Sequence, residues 1–274
     1  MSQIVVGFDG SQESEDALRW AAAEARIRKI PLVICHVWHW PYSFDPAHSD
    51  SIGIARRMGQ HVLDKGVSLA KEIAPQVEVR GALESGGAAS TLLHQAGGAV
   101  MIVTGLRGMG GIDGMAAGSV ALQVAGHALC PTVVARGTAH PDGPIVVGVD
   151  GSAGSEAALA FACEEAVLRR RTVLAVHAAP EGAFSPELRR QAGSKLETQV
   201  APWCTKYGHL EIRTKLVVLE PRTALLGATE KASLLVVGDR GTGGIRGMRL
   251  GAVSQAMVEH APCTVAVAHP WRRG

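Results

Sequence analysis

Gly238 to Ser254 reads GDRGTGGIRGMRLGAVS, and Gly105 to Ala121 reads GLRGMGGIDGMAAGSVA. Glycines fall at the same places in both: Gly105, Gly108, Gly110, Gly111, Gly114 and Gly118 are matched by Gly238, Gly241, Gly243, Gly244, Gly247 and Gly251. Each segment joins a strand-like apolar run to a helix-like one. Glycine takes positive φ and lets another group reach the main chain, so such a run before a helix start can aim several N–H groups at one anion. The reading is a phosphate cradle in duplicate. A steric requirement at a strand-to-helix turn is the competing explanation for any one copy, but duplication with varied intervening residues favours binding. No Gly-Lys-Ser/Thr occurs, so this is not a P-loop.

The repeat reaches well beyond the glycines. IVVGFDGS at Ile4 to Ser11 returns as IVVGVDGS at Ile145 to Ser152, 141 residues on, and His36 returns as His177 at that offset. From the second strand to the glycine loops the offset shrinks to 133, so the second copy is shorter there by 8 residues. Two homologous domains follow, residues 1–140 and 141–274, joined near GTAHPDG at Gly137 to Gly143.

Apolar runs of strand length alternate with helical patterns, which predicts an α/β fold with a doubly wound parallel sheet in each domain. The strands are expected at about Ile4–Phe8, Leu32–Val37, Val77–Leu83, Val100–Gly105 and Thr132–Ala135, then Ile145–Val149, Thr172–Ala178, Glu211–Val218, Leu234–Gly238 and Thr264–Ala268. Ala17, Leu18, Ala21, Ala22 and Ala25 form one helix face, with Ser11 or Ser14 as its cap. In such sheets ligands sit beyond the carboxyl ends of the strands where strand order reverses. Asp9 and Asp150 follow the first strand of each copy, and the glycine loops follow the fourth. An acidic residue there suits ribose hydroxyls or magnesium, while Asp-Gly-Ser as a helix-capping turn is the alternative.

Composition excludes several classes. With 27 basic and 25 acidic residues, a formal charge of +2 and 4% aromatics, neither a basic face nor a base-stacking platform is indicated, and nucleic acid is not an expected partner. Cys35, Cys130, Cys163, Cys204 and Cys263 show no C-x-x-C pair, so they read as small core residues in a reducing compartment and not as a disulfide framework or metal site. No basic leader and no apolar run of spanning length occur, and a cytoplasmic protein is expected.

Gly105, Gly108, Gly118 and Ser119 satisfy Gly, two residues, Gly, nine residues, Gly, then Ser/Thr, and Gly238, Gly241 and Gly251 repeat it with Ala252 in place of the hydroxyl residue. With VGxDGS, HALCPTVVA and HAPCTVAVA, the chain resembles the ATP-binding branch of the universal stress protein family in its tandem form, nearly end to end. The resemblance implies a Rossmann-like sheet of five strands in the order 3-2-1-4-5 in each domain, with ATP between strands one and four and magnesium as a possible companion. It places Asp9 and the main chain near Val37 at the nucleoside, and Gly105 through Gly111, with Arg107, Gly108 and Gly110, and Gly118 through Val120 at the phosphates. The second set is Asp150, Ala178, Gly238 through Gly244, with Arg240, Gly241 and Gly243, and Gly251, Ala252, Val253 and Ser254. Gly7 and Gly148, at the strand ends just before the aspartates, complete the candidates. Catalytic residues and metal ligands are assigned to none. The resemblance further implies fifth-strand pairing of the dimer kind, here between the two domains, with whole chains dimerising again through strand five or domain faces, and a stress-response or growth-regulating ATP binder with little hydrolysis. A slow ATPase and a nucleotide-independent scaffold are the alternatives.

The copies are not equal in sequence. Ser254 is expected to compensate for Ala252, and Arg240, Arg246 and Arg249 against Asp239 outweigh Arg107 against Asp113. This charge difference predicts a second site at least as tight as the first. His36 and His177 are expected to be satisfied by backbone, and Arg169 to Arg171 to end a helix. Trp38, His39 and Trp40 begin the longer loop of the first copy, as a lid, a partner contact or a loop anchor.

Overall fold

The structure, a computed structural model, describes residues 2–39, 49–110, 116–137, 140–179, 185–243 and 250–270. The chain divides into two compact units, Met1–Arg136 and Gly137–Gly274. Gly111, Gly244, Arg246, Arg249 and Trp40 lie outside the described residues.

Unit 1 runs β1 (Ile4–Gly7), α1 (Gln12–Arg28), β2 (Leu32–Trp38), α2 (Ser49–Ile73), β3 (Val79–Ser85), α3 (Ala88–Gln95), β4 (Met101–Gly105), α4 (Ser119–His127) and β5 (Thr132–Ala135). Unit 2 repeats it as β6 (Ile145–Gly148), α5 (Ala153–Arg169), β7 (Val173–Ala179), α6 (Pro186–Lys206), β8 (Ile212–Val218), α7 (Pro221–Ala228), β9 (Leu234–Gly238), α8 (Ala252–His260) and β10 (Thr264–Ala268). All pairs are parallel, in the order β3-β2-β1-β4-β5 and β8-β7-β6-β9-β10. These are the doubly wound, five-stranded, Rossmann-like sheets that the sequence predicts.

Burial follows position in the sheet. The central β1, β4, β6 and β9 are apolar and buried because helices cover both faces. The edge strands β3 and β8 mix polar with apolar residues and are partly exposed. β3 begins at Val79, two residues later than predicted, because the Val77 amide bonds to the Ala74 carbonyl in the turn that ends α2.

Helix α1 explains the tightness of the site end. The Ser11 hydroxyl accepts from the Ser14 amide as N-cap, Glu13 and Glu15 sit in the first turn, Arg26 and Arg28 in the last, and Lys29 closes the helix at φ 55°. Its buried face is Ala17, Leu18, Ala21, Ala22 and Ala25. Such small side chains bring the helix backbone close to the sheet. A Cβ on Gly105 would therefore lie 2.6 Å from the Glu13 carbonyl oxygen, and one on Gly238 would lie 2.4 Å from the carbonyl carbon of Gly154 on α5. These two glycines are required by packing before any ligand is considered. α5 ends with Arg170 at φ 54°, Arg169 bonded to Glu165 and Arg171 to Asp142, so the arginine run closes a helix as expected.

Candidate functional site

The chain leaves β1 towards β2 and leaves β4 towards β5, so a crevice opens between β1 and β4 at their carboxyl ends. In unit 1 it is a cavity of about 300 Å³, lined by Gly7, Asp9, Val37, Gly105, Arg107, Gly108, Gly110, Gly118, Ser119 and Val120 among others. In unit 2 it is about 360 Å³, lined by Gly148, Asp150, Ala178, Gly238, Arg240, Gly241, Gly243, Gly251, Ala252, Val253 and Ser254 among others. Every candidate residue within the described part of the chain thus reaches one of two equivalent hollows.

The aspartates tie the glycine loop to the strand. Asp9 Oδ2 accepts the Met109 amide at 2.8 Å, and Oδ1 accepts the Ser11 amide at 3.0 Å and hydroxyl at 2.6 Å. Asp150 repeats this with the Thr242 amide at 2.8 Å and the Ser152 amide at 3.0 Å. Burial pushes the pKa of Asp9 up, but the Ser11, Met109 and Ser14 donors outweigh it and hold the carboxyl below the ordinary value. Burial likewise opposes the Ser152, Thr242 and Ser155 donors at Asp150, with the same net lowering. The capping-turn role and the site-facing role therefore coexist in one carboxylate. A Cβ on Gly108 or Gly241 would stand 2.4 Å from Asp9 or Asp150 Oδ2, so these glycines are fixed by the loop-to-aspartate bond.

Gly110 and Gly243 differ. Among the described residues, a Cβ on either meets nothing within 4 Å, although both line the cavity. Close approach of a ligand to the main chain would call for glycine at such a place.

The helix starts supply the donors. α4 and α8 begin at Gly118 and Gly251 with no side-chain cap and no acidic residue in the first turn. The Gly118 amide is taken by the Leu106 carbonyl and the Gly251 amide by the Asp239 carbonyl, each at 2.8 Å. With their own amides taken, these two glycines line the cavities and shape the turn into the helix. The amides of Ser119, Val120 and Ala121, and of Ala252, Val253 and Ser254, fall in the first turn, where no intrahelical acceptor exists. They face the cavity with the positive end of the helix dipole.

Two expectations about unit 2 change. Ser254 does not stand in for a hydroxyl at Ala252, because its buried Oγ donates to the Gly238 carbonyl at 2.6 Å. Asp239 is buried, 3.6 Å from Arg240 Nε and 3.9 Å from His269 Nδ1, so among the described residues it balances those groups. Burial raises its pKa, and His269 and Arg240 bring it below the ordinary value. Arg107 lies 3.8 Å from Glu13 with both side chains partly exposed, a pairing of little energetic weight.

His36 Nδ1 and His177 Nδ1 sit 2.8 and 2.7 Å from the carbonyls of Phe8 and Val149, as expected of strand-end histidines. Acceptance by a carbonyl requires the proton on Nδ1. Trp38 and His39 line an open hollow of about 820 Å³ beside the unit 1 cavity, sharing Asp9 and Gly110 with it. The core reading of the cysteines holds for Cys35, Cys163 and Cys263, which are buried, and fails for Cys204, which is exposed. Burial, with the Glu84 charge, pushes the Cys35 thiol up to about 12, so this cavity-lining group is no nucleophile.

Sequence reasoning missed one wall of the site. Ala88 and Leu92 of α3, and Pro221 and Leu225 of α7, close the cavities from the side of the third crossover. They recur at the 133-residue offset of the glycine loops, so that offset was the available signal. Thr104, Cys35 and Ser14 were also missed. Among the described residues, no group of three or more His, Cys, Asp or Glu is placed to hold a metal, and no helix is long and apolar enough to cross a membrane.

Comparison with known proteins agrees with the duplicated architecture. A universal stress protein of Mycobacterium tuberculosis is 32% identical over 285 residues, spanning 97% of this chain and 95% of its own. One of Mycolicibacterium smegmatis is 29% identical over 286 residues, spanning 97% of each. The crystal structure of a universal stress protein from Archaeoglobus fulgidus superposes with a TM-score of 0.75 at 16% identity, covering 98% of this chain and 96% of that one, a likeness of fold. The universal stress protein family model matches residues 1–136 and again 143–269, once for each unit, and the chain belongs to the universal stress protein family.

Proposed function

We propose that each unit binds one ATP, or a close adenine nucleotide, and that the chain acts as a cytoplasmic stress-response or growth regulator through nucleotide-dependent conformation or partner binding. The observation that carries this reading is the uncapped start of α4 and of α8 facing a cavity beside glycines, Gly110 and Gly243, whose Cβ positions are open among the described residues. A triphosphate supplies the charge that those first-turn amides lack. Arg107 and Arg240 stand at the same mouth for charge-assisted contact. Val37 and Leu92, or Ala178 and Leu225, offer apolar surface to a base, and the aspartates keep acceptor capacity for a ribose hydroxyl. Asp9 and Asp150 are the only carboxylates among the described lining residues of their cavities, so magnesium would enter held mainly by phosphate oxygens.

ATP at about a thousand times its dissociation constant stabilises the bound state by roughly 4 kcal/mol per site, enough to act as a signal without being consumed. Asp9 and Asp150, acidified and bonded to loop and turn amides, are poorly suited to act as general bases, which supports binding over hydrolysis. Mass spectrometry of nucleotide carried through purification, followed by calorimetric titration with ATP and magnesium, tests the reading. Two bound nucleotides per chain are expected. A protein that emerges empty and stays empty at millimolar ATP overturns it in favour of a scaffold, and rapid phosphate release would favour the hydrolase.

A further inference from the structure

The units also differ outside their nucleotide cavities, on the helix that follows the second strand. In unit 1, Ile54, Met58 and Val62 of α2 stand four residues apart and form one row along the helix, spanning about 12 Å. Ile54 is 50% exposed and Met58 66%. The row lines the open hollow of about 820 Å³, which Trp38 at the end of β2 and Met109 on the glycine loop also line, Met109 being 73% exposed. Among the described residues, three of the six large exposed apolar side chains therefore gather at one place. Scattered singly they would need no explanation, but gathered on a concave surface they mark a binding site.

The fold does not require this row. In unit 2 the matching helix is α6: a Cβ on Gly10 would meet Val62 at 3.5 Å, and one on the equivalent Gly151 would meet Gln199 at 2.5 Å. At that offset of 137 residues, buried Leu63 matches buried Val200, while Ile54, Met58 and Val62 match Gln191, Lys195 and Gln199. Unit 2 thus gives water a polar face where unit 1 gives it an apolar one. Charge indicates the occupant. Arg57 and His61, exposed beside the row and lining the hollow, match Ser194 and Thr198 of unit 2. Asp9 is the only carboxylate among the described lining residues, and its oxygens already accept the Met109 and Ser11 amides and the Ser11 hydroxyl. A straight apolar row beside an arginine suits a linear apolar anion, which buries its chain and pairs its head group. We infer that this hollow of unit 1 is a site for a medium-length acyl chain ending in a carboxylate, with the chain along Ile54, Met58 and Val62 and the head group at Arg57. The inference does not depend on the nucleotide reading.

The test uses the full chain, isotopically labelled at the methionine methyl groups for NMR, with decanoate as the probe below its micellar range. The Met58 and Met109 signals, assigned through Met58→Leu and Met109→Leu, are expected to shift together and to saturate. Decylammonium, the same chain with the opposite charge, should bind at least about tenfold weaker. Arg57→Ser, which installs the residue of unit 2, should weaken decanoate by about tenfold. Grafting the polar row of unit 2 through Ile54→Gln, Met58→Lys and Val62→Gln should abolish the Met109 shift and leave the melting temperature near that of the parent, since unit 2 folds with those residues. Unmoved Met58 and Met109 signals in the parent overturn the inference. Equal affinity for decylammonium overturns the carboxylate assignment, and undiminished binding by the grafted chain overturns the placement along α2. A parent that sediments as a dimer, beside a monomeric grafted chain and with decanoate bound by neither, overturns the inference in favour of contact with a second copy.

Discussion

Units 1 and 2 build the same site from the same backbone and furnish it differently. Their glycine loops, aspartate anchors and uncapped helix starts coincide residue for residue, as do the strand-end histidines. The side chains diverge: Thr104 against Val237, Ser119 against Ala252, Ala121 against Ser254, Val37 against Ala178. At the helix start unit 1 has the Ser119 hydroxyl where unit 2 has Ala252, while the Ser254 hydroxyl of unit 2 turns back onto the Gly238 carbonyl, and the unit 2 hollow is slightly larger. What is shared belongs to the backbone, and what differs belongs to the side chains that line it.

The comparison breaks most sharply at Gly108 and Gly241. Valine at either forces a carbon to within 2.4 Å of the aspartate carboxylate and displaces the loop. A disruption of about 3 kcal/mol, roughly a hundredfold in affinity, is expected at the affected unit alone. Calorimetric stoichiometry should fall from two to one in each single variant. A variant that still binds two nucleotides would show that the cradle is not the site.

Asp9→Ala and Asp150→Ala probe the anchor, and each should cost about 2 kcal/mol by removing charge-assisted bonds to the loop and turn amides. Urea midpoints measure it. Because both carboxyls titrate lower in the folded chain than in the unfolded one, their contribution is present above the ordinary value and lost as pH falls through the folded value. The wild-type chain should therefore lose stability below about pH 4, and the double Asp9→Asn, Asp150→Asn chain should lose less over that range. Equal acid sensitivity in both would remove the aspartates from the account.

Ser254→Ala separates structure from binding in unit 2. Loss of the bond to the Gly238 carbonyl should cost about 1 kcal/mol of stability while ATP affinity stays unchanged. An affinity loss without a stability loss would return Ser254 to the role expected from sequence. Smallest of all, Ser119→Ala should weaken unit 1 by about threefold or less, since the backbone amide remains. A larger loss would mean that the hydroxyl, and not the helix start, holds the phosphates.

The charge argument for a tighter second site turns on Arg246 and Arg249, which lie outside the described residues, while Asp239 is buried against Arg240 and His269.

Much of this was legible in one dimension. The 141- and 133-residue offsets gave the duplication, the apolar runs gave parallel βαβ units, and the glycine spacing located the loops. Such features are local: they depend on periodicity and on backbone freedom within a few residues. The reason for each glycine was not legible. Gly105 is set by α1 packing, Gly108 by Asp9 and Gly118 by its turn, while Gly110 alone of these four stands clear of other groups among the described residues. Nor did the sequence reveal that Ser254 faces its own backbone, that Asp239 is buried, or that the buried Thr104 hydroxyl has no partner among the described residues. Each depends on what a side chain meets across strands and crossovers distant in the chain, and burial and hydrogen-bond satisfaction are settled only when those elements pack.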